Sequence, residues 1–293
     1  MSLHALLALL LLVQDTPVEQ LLEHLRSDSA KIREEAVLRL QKRGEGAVPA
    51  LKKGLEDKDP EVAARCREIL DRISSDQAAA QFQKIEDTLT QARTVRIKFK
   101  LESVTHGPRI ENKSSHEGVL LLKKGNKVHL SGDNRSNLLN LTYTMISNGK
   151  RMQLRSSALN EPHELETPEN LAAAVCRFAS RAGPSCVFMT VTSKEANLED
   201  MMDVIKVGEF KELPAEGTTR KISYRLMIEN PMAIKIRGTL SYEAGTLRPL
   251  QRSLKITFGE DNGGEATSTE LYQDYVLDAE IPDETFAIPD GKK

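Results

Sequence analysis

The sequence predicts an α+β protein: a short, all-helical N-terminal segment followed by a curved antiparallel β-sheet with helices on its concave face. Three observations carry this. Residues 16–74 show only helical spacing, and that spacing repeats. At Thr94 the apolar period changes from helical to two-residue. From there to Val276, short alternating segments follow one another, divided by glycine-containing turns.

The N-terminal stretch opens with Leu3 to Val13, an almost unbroken apolar run, and then Gln14-Asp15-Thr16-Pro17. Spanning a bilayer takes roughly 20 residues, so the run is too short. It reads as the apolar region of a signal peptide over 1–14, which predicts export to the periplasm or extracellular envelope. The competing reading is a buried, Leu-rich first helix, since no Lys or Arg precedes the run. No other stretch is long and apolar enough for a stable membrane span.

In residues 16–74, Thr16 and Pro17 read as a helix start, with Glu19 at the third position of a capping box. Val18, Leu21, Leu22 and Leu25 form one apolar face. Leu25 recurs as Leu55, and at the same offset Val18 meets Val48, Leu21 meets Leu51, Ile32 meets Val62, Ala36 meets Cys66 and Leu40 meets Leu70. Each unit is a helix, a polar turn and a second helix, and the Asp59-Pro60-Glu61-Val62 turn has Ala-rich flanks. The segment resembles HEAT repeats, helix pairs that stack into solenoids. The resemblance implies either a docking surface for an envelope protein partner or a cap on the next domain. Ser74-Ser75-Asp76 reads as the joint to a second domain over 76–293.

That domain begins with a helix over 76–92 carrying Phe82, Ile85 and Leu89 on one side. Val95, Ile97, Phe99 and Leu101 then alternate with charged residues, the pattern of a strand with one face on a core. Further strands read near 117–124, 127–130, 139–147 and 151–155, with the Asn148-Gly149 pair as a hairpin turn. A helix over Pro168–Ala182, capped by Thr167, and a short one near Ala196–Met202 interrupt. Strands resume near 204–212, 220–228, 234–242, 253–258 and 268–276, and residues 281–291 read as an irregular closing strand.

Four places in this order resemble the periplasmic lipoprotein carriers (the LolA-like superfamily). They are Ala92-Arg93-Thr94-Val95, the Gly118–Val128 stretch, the Met145-Ile146-Ser147-Asn148-Gly149-Lys150 hairpin, and the ending Ala279 to Gly291. The resemblance spans roughly residues 77–291. It implies a half-open β-barrel whose concave apolar face holds acyl chains under a helical lid. Strand alternation nominates Ile97, Phe99, Leu101, Leu120, Leu122, Leu141, Tyr143 and Met145 for that face, with plain core packing as the rival reading. Leu171, Val175, Phe178, Met201 and Met202 are the lid candidates. The chain also departs from the carriers. Lys124-Gly125 stands where they have Arg-Pro, there is no Trp, and the insert around 168–202 is its own.

The remaining chemistry is sparse. A net charge of −2 gives no field to recruit nucleic acid or an anionic membrane, and aromatics at 4% leave little to stack bases or sugars. Cys176 and Cys186 flank a Gly-Pro turn and in an oxidising compartment are either bonded or free. The six His lack metal-ligand spacing, and no nucleophile, phosphate-loop or dinucleotide motif is found. The sequence therefore predicts a non-enzymatic binding protein for a lipid or lipoprotein acyl chain, without metal or cofactor. The alternative is an envelope scaffold or stress-sensor interaction protein with no transported ligand.

Overall fold

The computed structural model describes residues 16–107, 111–138, 140–187, 205–228, 234–258 and 264–289. The expected signal segment, the short helix near 196–202 and the candidates Met201 and Met202 lie outside these residues. The chain divides into two compact units, 1–77 and 78–293.

The first unit holds α1 (Val18–His24), α2 (Ala30–Arg43), α3 (Val48–Gly54) and the first part of α4 (Pro60–Gln91). Its core is Leu21, Leu25, Ala36, Leu40, Leu51, Cys66, Ile69 and Ile73, with Ala47 and Val62. The repeated positions Leu21 and Leu51 are both buried, as are Ala36 and Cys66, but Ile32 is 41% exposed where its counterpart Val62 is 1%. Gly54 is required by packing: a Cβ there would lie 2.5 Å from Cys66 Sγ, so a side chain would push α3 off α4. Asp59 starts α4, its Oδ1 accepting from the Glu61 N–H at 2.9 Å. Thr16 does not cap α1. Pro17 holds the cap position, and Thr16 Oγ1 accepts from Arg39 instead.

Ser74-Ser75-Asp76, expected as a joint, adjoins the boundary between the two units in the chain, but it is not a loop. All three lie inside α4, which runs unbroken for 32 residues. The apolar spacing explains why. Val62, Cys66, Ile69 and Ile73, then Ala78, Phe82, Ile85 and Leu89, keep helical steps with a single five-residue stride at Ile73–Ala78, so neither stretch lacks a buried stripe.

The second unit is one open, curved, antiparallel sheet of eleven strands in the order β6-β5-β4-β3-β2-β1-β11-β10-β9-β8-β7. The chain walks outward by hairpins through β1 (Thr94–His106), β2 (Glu111–Lys123), β3 (Lys127–Ser136), β4 (Asn140–Asn148), β5 (Arg151–Ser156) and β6 (His163–Glu166). It then crosses to the far edge through α5 (Leu171–Ala182) and α6 (Pro184–Val187). It returns through β7 (Ile205–Glu216), β8 (Thr219–Ile228), β9 (Ile234–Glu243), β10 (Pro249–Phe258) and β11 (Glu265–Leu277), which pairs with β1. This order puts the one edge-to-edge crossover on a face of the sheet, where its helices cover apolar side chains.

Three local expectations are corrected. The edge strand β6 carries no apolar alternation and escapes a pattern search; its ladder to β5 holds it. Of the closing strand expected over 281–291, the described residues 281–289 form no strand, because Pro282 and Pro289 cannot donate to a ladder. A 3₁₀ turn at Asp283–Phe286 buries Phe286, and Asp283 accepts from Lys123 Nζ at 2.6 Å and Lys127 Nζ at 2.7 Å. Finally, α5 starts at Leu171, not Pro168. Its cap comes from the β2–β3 turn: Asn126 Oδ1 accepts from the Ala172 N–H at 3.3 Å, while Thr167 Oγ1 bonds Ser147 Oγ at 2.9 Å.

Candidate ligand-binding face and its helical cover

The pairing register sorts the inner face of β1–β5 into transverse rows. Val95, Leu122, Val128, Ser147 and Met152 make one; Ile97, Leu120, Leu130, Met145 and Leu154 the next. Phe99, Gly118, Gly132 and Tyr143 follow, and then Leu101, His116, Asn134 and Leu141. All eight nominated residues stand on this face. Seven are buried, and Leu101 is half-buried. Ile97, Phe99, Leu120, Leu122, Tyr143 and Met145 share one core with Leu171, Val175 and Phe178 of α5 and with Phe82, Ile85 and Leu89 of α4. Leu101 and Leu141 lie outside that core, in the row where the face turns polar.

Glycines make room for the aromatic rings of the third row. A Cβ at Gly118 would sit 2.6 Å from the Phe99 ring, and one at Gly132 2.6 Å from the Tyr143 hydroxyl. Each ring thus lies over the glycine opposite it on the next strand. His116 bonds the Tyr143 hydroxyl through Nε2 and meets the Phe99 ring edge-on at 5.3 Å. Burial lowers the His116 pKa to about 4, so it is neutral at pH 7.

The cover is fastened by groups that sequence reasoning missed. Arg252 and Glu270 are fully buried, at 1% and 2% exposure, and pair across β10 and β11. Arg252 Nη1 donates to Ala179 O at 3.0 Å and Nη2 to Ser180 O at 2.5 Å. Tyr224 donates to Arg181 O at 3.2 Å, and the Cys186 thiol to Ala182 O at 3.2 Å. The Ala179 carbonyl also accepts the Gly183 N–H at 3.0 Å, and the three carbonyls that follow it at the end of α5 each find a side-chain donor. The cation also sits at the negative end of the helix dipole. On the next turn the Ser185 N–H donates to Glu270 Oε1 at 2.8 Å. Burial pushes the Glu270 pKa up, against Arg252 and the Ser185 amide, which pull it down. On α4, Glu86 accepts both Nε and Nη2 of Arg181 at 3.0 Å. The signal was present in parity: Ala266, Ser268, Glu270 and Tyr272 alternate, which puts Glu270 on the face toward the helices. Arg252 lay just outside the strand read at 253–258.

Cys176 and Cys186 are free thiols, so the disulfide considered between them is not formed. They face different groups: Cys176 Sγ lies 3.8 Å from Leu89 O, and Cys186 bonds its own helix end. Burial raises both pKa values to about 12. Among the described residues, no three His, Cys, Asp or Glu gather to hold a metal, and no helix is long and apolar enough to cross a membrane.

No protein-family model matches the chain, and no curated protein matches it by sequence. Solved structures similar to it include LprF from Mycobacterium bovis, at a TM-score of 0.36 and 11% identity over 74% of this chain and 98% of that one. A DUF1329-family protein from Desulfovibrio piger gives 0.32 and 12% over 73% and 97%. A LolA-superfamily protein from Nitrosomonas europaea gives 0.31 and 10% over 72% and 97%.

Proposed function

We propose that this protein is a non-catalytic carrier that shields a lipid or lipoprotein acyl chain, exported to the periplasm or extracellular envelope. In this reading the sheet is a half-open barrel, α5 and α6 are its lid, and the HEAT-like first unit docks an envelope partner. The observation that supports it is the union of contiguous apolar rows with a crossover helix whose far end is held by polar contacts to the sheet. Polar contacts of this kind can be exchanged for water, whereas the apolar face they guard cannot be left bare. Uncovering Leu171, Val175 and Phe178 alone costs about 5–9 kcal/mol, at roughly 1.5–3 kcal/mol for each large apolar side chain. At about 0.8 kcal/mol per buried methylene, an acyl chain of roughly ten carbons offsets that cost. A long-chain ligand is therefore the occupant whose binding balances lid displacement.

One observation favours the rival reading of an envelope scaffold or sensor: side chains of α4 and α5 fill the face in this conformation. Mass spectrometry of protein purified gently after export separates the two. A native mass exceeding the denatured mass by one acyl species, or uptake of added palmitate, supports the carrier. An unliganded mass that palmitate does not change rejects it and leaves the scaffold.

A further inference from the structure

The face of the sheet opposite the helices carries a groove that acyl binding does not use. Two open clefts, of about 620 and 540 Å³, share Thr267, Ser268 and Thr269 and so run together across β3 to β8. Register defines their floor. Ser223, Thr239, Ser253 and Thr269 are successive partners on β8, β9, β10 and β11, a ladder of four hydroxyls. Beside it Arg225, Arg237 and Lys255 are successive partners on β8, β9 and β10.

Like charges directly opposite one another destabilise a sheet, so a row of three cations is a cost the fold carries. Only the outer two have ion-pair partners: Arg225 with Glu209 at 2.7 Å and Lys255 with Glu265 at 3.1 Å. Arg237, between them, has no ion pair among the described residues. Glu209, which lines the groove, takes a left-handed backbone (φ 53°) at a bulge in β7 and is tied to Arg225, as Glu265 is to Lys255, which leaves Arg237 open.

We propose that this groove binds an extended anionic polysaccharide. The charge row calls for an acidic partner. The hydroxyl ladder distinguishes a glycan from a peptide. Its period is the spacing between strands, about 4.8 Å, whereas an extended polypeptide rises about 3.4 Å per residue. The strand spacing is close to the rise of an extended 1,4-linked pyranose chain, so successive sugars meet successive hydroxyls while their acidic groups meet the cations. No aromatic platform is needed, because charge-assisted hydrogen bonds supply the affinity.

The full chain titrated calorimetrically with polygalacturonate, with uncharged dextran and with polyglutamate tests this. Polygalacturonate should bind, dextran should not, and polyglutamate should bind more weakly. Arg237→Ser should weaken polygalacturonate binding about tenfold, the worth of one charge-assisted contact. Its melting temperature should be unchanged or higher, since one of three opposed cations is gone. Thr239→Val with Ser253→Val should weaken polygalacturonate binding and leave polyglutamate binding as it was. No polygalacturonate binding, or binding unchanged in Arg237→Ser, overturns the proposal. Polyglutamate binding as tightly as polygalacturonate also overturns it, and assigns the groove to an acidic peptide.

Discussion

Arg252 and Glu270 stand directly opposite each other on β10 and β11, and each holds one side of the same turn. The arginine takes the carbonyls that end α5; the glutamate takes the amide of Ser185, at the start of α6. Both are buried, so neither charge is tolerable without its partners. Arg252→Met should cost about 3–5 kcal/mol, because it leaves the buried Glu270 carboxylate without its cation and the Ser180 carbonyl without its donor. Arg252→Met combined with Glu270→Leu should cost less than the sum of the two single changes. Urea denaturation of the three variants checks this. Strict additivity would mean that the two residues hold the cover independently.

Gly183 lies between the two anchors with φ +101°, and a Cβ there would come within 1.9 Å of Glu270 Oε2. Gly217 has φ +60° but open space around it. Gly183→Ala should therefore destabilise by several kcal/mol, and Gly217→Ala by about 1 kcal/mol, the backbone cost alone. Equal losses in denaturation would show that the turn moves away from the carboxylate without penalty.

His116 gives the fold an acid-sensitive element. Its pKa falls from 6.5 to about 4 on burial. Between those values the unfolded chain binds a proton that the folded chain does not, so stability rises with pH across the window. The contribution is fully present above pH 6.5 and is lost as pH falls toward 4, amounting to roughly 3 kcal/mol. His116→Gln should remove that slope: between pH 7.5 and 4.5 the wild-type protein should lose a few kcal/mol more than the variant. Parallel pH profiles would place the proton uptake elsewhere.

How much of this was legible in the sequence depends on how far each signal reaches along the chain. Two-residue alternation fixed the faces of β1 to β4, so Ile97, Leu120 and Met145 were placed on one side before any pairing was known. Asn148-Gly149 marked its hairpin because the turn needs its own residue types. The α5 cap was not legible, since Asn126 reaches it from 46 positions away. Ser74-Ser75-Asp76 marked the place in the chain where one unit gives way to the next, but not the continuous helix that crosses it, because polar residues along a long helix look like a break. The anchor at Arg252 and Glu270 was legible only by parity in β11, and its meaning depends on a crossover that no local pattern encodes. The outer groove was invisible for the same reason: the cations of its row lie on three strands, and register alone aligns them.

Cys176 and Cys186 offer a direct readout of the cover. Each thiol is held with its pKa raised to about 12, and the reactive species is the thiolate. With α5 and α6 docked, both should alkylate with iodoacetamide no faster than the protein opens. If an acyl chain displaces the cover, palmitate should accelerate labelling of both, while Cys66, in the core of the first unit, should be unaffected. Peptide mapping after timed quenching distinguishes the three sites. Palmitate that binds without changing the rate at Cys176 or Cys186 would show that the ligand sits elsewhere, with the cover still in place. Labelling that speeds at Cys66 as well would indicate general loosening rather than movement of the cover.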